Sequence, residues 1–178
     1  VSPNDLNDEL DKNTLRAYLS LHSNSSNQNN ISSNHYQLLH DYTQYSKPLN
    51  SQLWKKAIHG TPPDNDIQNI HQNLITAIAA CKKIPDSFVV YSGVKNRQNT
   101  MPHHLSTFGE VTMPSYISAS TSPRVATGFS ENDINGDKHL LRIKIPRNFQ
   151  HGAFIGNISE HPYEKEFLIS SHRNLLIH

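Results

Sequence analysis

Cysteine is nearly absent from this sequence. Cys81 stands alone among 178 residues, so no intramolecular disulfide can form and the chain must fold by burial alone. Long apolar runs are missing too, and nothing approaches the ~18 residues that a conventional membrane-spanning helix needs. Basic runs stop at Lys55-Lys56 and Lys82-Lys83, and 16 basic side chains nearly cancel 15 acidic ones. That balance leaves no electrostatic footprint for nucleic acid. The 12 histidines show neither an H-E-x-x-H helix nor a Cys/His cluster at zinc spacing, which argues against a metal site. They read as polar surface that charges in part below about pH 6.5. No G-x-S-x-G elbow exists, and Ser120 has no glycine neighbour, which ranks a Ser/His hydrolase last among the possible readings. The chain opens at Val1 without a basic-then-apolar leader, the pattern expected of a piece cut from a longer protein.

What is present suffices for one compact core. At 35% apolar over 178 residues, two full domains would be crowded, so residues 1–178 are expected to form a single domain. Ser2-Pro3 reads as a cap and first turn, followed by Leu6, Leu10, Leu15 and Leu19 at helical spacing. Residues 23–34 are polar apart from Ile31 and read as a linker. Shorter helices are expected over Tyr36–Tyr45, with Leu38, Leu39 and Tyr42 inward, and over Ser51–His59, with Leu53, Trp54 and Ile58 inward. A Gly60-Thr61-Pro62-Pro63 turn follows. Ile67, Ile70, Leu74, Ile78 and Cys81 then mark one stripe of the strongest helix.

After Pro85 the period changes. Phe88-Val89-Val90-Tyr91 reads as a buried strand. Leu141, Ile143 and Ile145 alternate with Arg142 and Lys144, and Lys165, Phe167 and Ile169 alternate with Glu164 and Glu166, each the pattern of a half-buried strand. Helical residues 1–84 followed by strand-rich residues 85–178 argue an α+β fold.

Two carboxylates at i and i+2 of a strand leave the same face with their Cα atoms ~6–7 Å apart, close enough to serve one pocket. A neighbouring negative charge raises a pKa within such a pair. Ser122 suits a helix N-cap and Pro123 the first helical position, with Val125, Ala126 and Phe129 facing the core. Three segments stand out in order: Val90-Tyr91-Ser92-Gly93-Val94, Tyr116-Ile117-Ser118-Ala119-Ser120-Thr121-Ser122, and Tyr163-Glu164-Lys165-Glu166-Phe167-Leu168-Ile169. With Ala126, Phe129 and Ser130 after the second and Gly152 to Asn157 before the third, they resemble bacterial mono-ADP-ribosyltransferase exotoxins of the Arg–Ser–Glu class. The likeness is greatest to the C-terminal effector regions of insecticidal Tc-toxin complexes.

That resemblance implies N-terminal helices packed on a mixed, mainly antiparallel two-sheet core. It implies NAD as co-substrate, and no metal. Glu166 would hold the ribose hydroxyl and stabilise the oxocarbenium charge that grows as the nicotinamide bond breaks. Glu164 would orient or deprotonate the accepting side chain. Ser120 would position Glu166, while Thr121 and Ser122 brace the NAD pocket together with Tyr91, Ser92 and Gly93. Tyr163 would read the protein substrate, and residues 131–138 would form a loop that closes on the cofactor. The departure is Ser92, where the family carries an Arg that forks onto an NAD phosphate. Arg97, Arg124 or Lys95 are the sequence's alternatives for that charge.

The resemblance further implies a monomer, secreted within a larger toxin and acting on a protein of the host cytosol. Actin is favoured over a Rho GTPase because the Rho-modifying pattern has Gln where Glu164 stands. The acceptor residue stays open. The rival reading is a noncatalytic homologue that uses the same sheet and helices to hold a host protein.

Overall fold

The computed structural model describes residues 33–81, 87–95, 109–132, 135–156 and 162–177. The helix expected over Leu6 to Leu19, and the expected linker up to residue 32, lie outside these. The first described element is helix α1, Ser33–His59, which runs unbroken for 27 residues with Pro48 inside it. Two separate helices were expected here, and Ser33 and Asn34 were expected in the linker. The stripe of Leu39, Tyr42, Leu49 and Leu53, all buried, explains the continuity. A proline inside a helix costs about 3 kcal/mol, and burying even two such side chains, at roughly 1.5–3 kcal/mol each, offsets that. Ile58, expected inward, is 43% exposed and lines a cavity instead of the core.

Helix α2, Asn65–Ala80, buries Ile67, Leu74, Ala77 and Ile78, with Ile70 and Cys81 packed against the same cluster. The helical spacing of these residues therefore points at the core as expected. Chain extension begins at Cys81, whose ψ is 153°.

Five strands form the main sheet: β1 (Phe88–Gly93), β3 (Ile117–Ser120), β4 (Leu140–Ile145), β5 (Gly152–Phe154) and β6 (Glu166–Ile169), in the order β4-β1-β3-β6-β5. Strands β2 (Gly109–Met113) and β7 (Arg173–Ile177) pair as a second sheet. Every ladder among the described strands is antiparallel. Strand alternation splits the core in two. Leu168 and Ala153 meet Leu39, Leu49, Leu74 and Ile78 of the helices. Phe167, Ile169, Ile117, Ala119 and Val90 pack on the opposite side with Met113 of the second sheet. Helices α1 and α2 thus cover one face of the sheet and the β2-β7 pair the other. Between β3 and β4 sits the short helix α3, Pro123–Gly128.

The corrected inward stripe of α1 gives a direct test. Leu49→Ala should lower the unfolding free energy by about 2–5 kcal/mol, while Ile58→Ser should change it by no more than about 0.5 kcal/mol. Equal losses in urea titrations of the two variants would contradict this orientation of the helix.

Candidate active site

Antiparallel register sets three side chains in a row across the sheet centre, because Tyr91 of β1 stands opposite Ser120 of β3, and Ser120 opposite Glu166 of β6. Over this row, beneath α1 and beside α3, opens a cavity of about 680 Å³ that Tyr91, Ser118, Ser120, Glu164 and Glu166 help to line. Its size suits a small-molecule ligand.

Glu166 is 7% exposed. Burial is the main reason its pKa is pushed up to about 7 from the ordinary 4.5; the nearby Glu164 charge raises it further, while a hydrogen bond from Ser118 lowers it. The expected interplay between the two acids is therefore present, but desolvation exceeds it. Ser118 is itself held: its Oγ is 3.1 Å from the Tyr42 hydroxyl, and its carbonyl accepts from Ser92 Oγ at 2.9 Å.

The serine expected to brace Glu166 was Ser120, and here the structure corrects the sequence reading by two residues. Ser120 Oγ donates to the Glu164 carbonyl at 2.7 Å and accepts from Ser122 N at 3.0 Å, so it fixes the backbone ahead of Glu166 and not the carboxylate. Ser122 caps α3 by accepting from Val125 N. Thr121 is buried with its hydroxyl unpartnered. Neither Thr121 nor Ser122 lines the cavity, in contrast to the pocket role expected of them.

Glu164 also departs from expectation. It ends a 3-10 turn, Pro162–Glu164, and Lys165 has φ 49°, so the strand alternation starts only at Glu166. The sheet explains the break: Ile155 N donates to the Glu166 carbonyl at 2.9 Å, whereas Ser120 draws the Glu164 carbonyl out of the ladder. Both carboxylates still reach the cavity. Tyr163, on the same turn, is 68% exposed, and Phe129 at the end of α3 is 46% exposed and lines the cavity rather than facing the core.

Gly93 is required by close approach, since a Cβ there would strike the Ala126 carbonyl and come within 2.7 Å of Ser130 N. Ser92 is buried and its hydroxyl is committed to β3. Of the cations considered in its stead, Lys95 lines the cavity, Arg124 does not, and Arg97 lies outside the described residues. Lys47 and Lys55 of α1 line it as well. Sequence inspection missed these two, along with Tyr42 and Asn50, because helical spacing alone gives no sign that α1 forms a cavity wall. Part of the 131–138 loop is described: Asn132 bridges to Lys138, and Gly136 has φ 84°.

The sequence profile of the ADP-ribosyltransferase exoenzyme family matches residues 20–178. The chain belongs to that family. Its fold is shared with Vis toxin from Vibrio splendidus at TM-score 0.61 and 20% identity, covering 94% of this chain and 75% of that one. A Paenibacillus larvae ADP-ribosyltransferase toxin superposes at TM-score 0.62 and 17% identity over 94% of this chain and 82% of that one. An ADP-ribosyltransferase from Clostridium botulinum gives 0.67 at 14% identity over 90% and 83%. Comparison with curated protein sequences returns no match. NAD is the co-substrate of this family, and among related structures one from S. aureus holds NAD and Exoenzyme S from Pseudomonas aeruginosa holds carba-NAD.

For this ADP-ribosyltransferase domain the raised Glu166 pKa makes a stability test. Its folded value lies above the unfolded one, so the native state keeps a proton that the unfolded chain has lost between pH 4.5 and about 7, and stability falls as pH rises through that window. Glu166→Gln removes the ionisation and should be more stable than wild type at pH 8, by on the order of 3 kcal/mol, with a correspondingly higher melting temperature. The two melting curves should converge below about pH 4.5. A constant gap at all pH values would show that Glu166 is not destabilised as an anion.

Proposed function

We propose that this domain is a mono-ADP-ribosyltransferase toxin domain that transfers ADP-ribose from NAD to a host protein, with Glu166 as the catalytic carboxylate. The observation that supports it most is the pair of acids on the cavity, one buried on an interior strand and one half-buried on the turn just before it. In the reaction the C1′–N bond of NAD breaks and nicotinamide leaves with the electron pair. A fixed anion beside C1′ stabilises the cation that develops there more than it stabilises ground-state NAD. The acceptor's nucleophilic atom then bonds to C1′, and its proton passes to Glu164. Phe129 at the cavity wall offers a flat face to the nicotinamide ring. Lys47, Lys55 and Lys95 supply the positive charge for the diphosphate that Ser92 lacks. Gly93 and Tyr91 form the floor, and Tyr163 meets the protein substrate.

The proposed acceptor is an arginine. Vis has been solved with agmatine, a guanidinium compound, and an acid at Glu164 suits a guanidinium acceptor. We favour actin over a Rho GTPase on the same carboxylate, and release from a larger Tc-type toxin into the host cytosol as the setting.

Incubating the domain with labelled NAD and host lysate, then mapping the label, tests this reading. Label on actin is expected, and label on a Rho GTPase would overturn the preference. Glu166→Gln should lower nicotinamide release at least about a hundredfold, whereas Glu164→Gln should impair protein labelling far more than NAD hydrolysis. Wild type that releases no nicotinamide would instead support the noncatalytic binding module. Replacing Lys47, Lys55 and Lys95 together by Ala should weaken NAD binding roughly ten- to a hundredfold, and unchanged affinity would locate the phosphates elsewhere.

A further inference from the structure

Four polar groups form a continuous line from helix α1 to Glu166. Tyr116 N of the segment before β3 donates to Asn50 Oδ1 at 3.0 Å. Asn50 Nδ2 donates to the Tyr42 hydroxyl at 3.2 Å. The Tyr42 hydroxyl lies 3.1 Å from Ser118 Oγ, and Ser118 bonds to Glu166.

The first link fixes the direction of all the others. A backbone N–H can only donate, so the Asn50 carbonyl oxygen must face Tyr116 and its amide nitrogen must face Tyr42. Tyr42 oxygen therefore accepts, and its single proton turns toward Ser118. Ser118 in turn accepts from Tyr42 and has its own proton left for the carboxylate. The Tyr42 ring is buried and tilted against Tyr116 at 5.8 Å between centroids, so the ring that carries the hydroxyl is held in place.

We propose that Tyr42 and Asn50 are positioning residues that act through Ser118 to aim a hydrogen bond at Glu166, so that α1 sets the orientation of the catalytic carboxylate as well as walling the cavity. This rests on the reading of Glu166 as catalytic. Chains of hydrogen bonds polarise one another, so the donor nearest the anion is strengthened by those behind it. The other titratable groups around the cavity are Lys47, Lys55 and His59 from α1, Tyr91 and Lys95 from β1 and just after it, Tyr116 from the segment before β3, and Glu164 from the 3-10 turn. Tyr42→Phe leaves all of these in place and removes one hydroxyl.

The experiment follows the Glu166 carboxyl by carbon NMR titration in the substrate-free domain, and nicotinamide release by steady-state kinetics, in wild type, Tyr42→Phe and Asn50→Asp. Tyr42→Phe should raise the Glu166 midpoint by about half a unit or more and lower kcat about tenfold, with KM within about twofold. Asn50→Asp keeps the acceptor for Tyr116 N but cannot donate to Tyr42, and so should turn the tyrosine proton away from Ser118. It should reproduce both effects, whereas a purely space-filling role would leave Asn50→Asp and Tyr42→Phe with wild-type kcat and midpoint. An unchanged Glu166 midpoint in Tyr42→Phe overturns the proposal. If wild type itself releases no nicotinamide, the functional reading fails separately, and the titration alone then decides for or against the hydrogen-bond line.

Discussion

Holding an ionisable carboxylate inside the protein is the constraint around which this domain is arranged. Glu166 opens β6 between two partner strands, so its backbone is fixed on both sides. Burial alone would keep it protonated at neutral pH, and a neutral acid offers nothing to a developing cation. Ser118 supplies the compensating donor, and the neighbours of Ser118 are drawn from three elements: Tyr42 on α1, Ser92 on β1 and Glu166 itself on β6. The N-terminal helices are thus joined to the strand core by polar contacts at the site, in addition to the apolar layer of Leu39, Leu49 and Leu74 beneath it.

Much of this was legible from residue periodicity. Alternation at Leu141, Ile143 and Ile145 marked a strand whose latter two side chains are buried, and the Ile67 to Cys81 spacing marked α2. The three segments that carry the family resemblance converge on one row of the sheet. What the sequence concealed were competitions between local and tertiary terms. Two helices were expected on either side of Pro48, but the buried stripe of α1 runs through it. The alternation of Glu164, Lys165 and Glu166 suggested a strand, but the Ser120 hydroxyl captures the Glu164 carbonyl and Lys165 turns to positive φ. Three serines stand at alternate positions, Ser118, Ser120 and Ser122, and the motif reading took Ser120 as the partner of Glu166. Strand period alone cannot choose between Ser118 and Ser120, because the two share a face. The choice falls to Tyr42, whose hydroxyl reaches Ser118.

Ser92 acts in the site through its hydroxyl. Where the resemblance leads one to expect a charged fork, this chain has a short side chain that bonds the β3 backbone. Position 92 is thereby part of the support for Ser118. Positive charge on the cavity comes instead from lysines, two of them on α1. Lysine ammoniums act as flexible point charges and do not grip a phosphate bidentately, so cofactor affinity should depend more on closure around the ligand than on a preset anchor.

The proposed role of Glu166 requires that NAD lie with its reacting ribose against it. A crystal structure of the domain with carba-NAD tests it most directly, since the analogue keeps the shape of NAD but resists cleavage. A hydroxyl on the nicotinamide side of the analogue is expected to bond Glu166, with Ser118 on the same carboxylate and the diphosphate beside Lys47, Lys55 or Lys95. Carba-NAD bound elsewhere, or bound in this cavity with that hydroxyl turned away from Glu166, would contradict it.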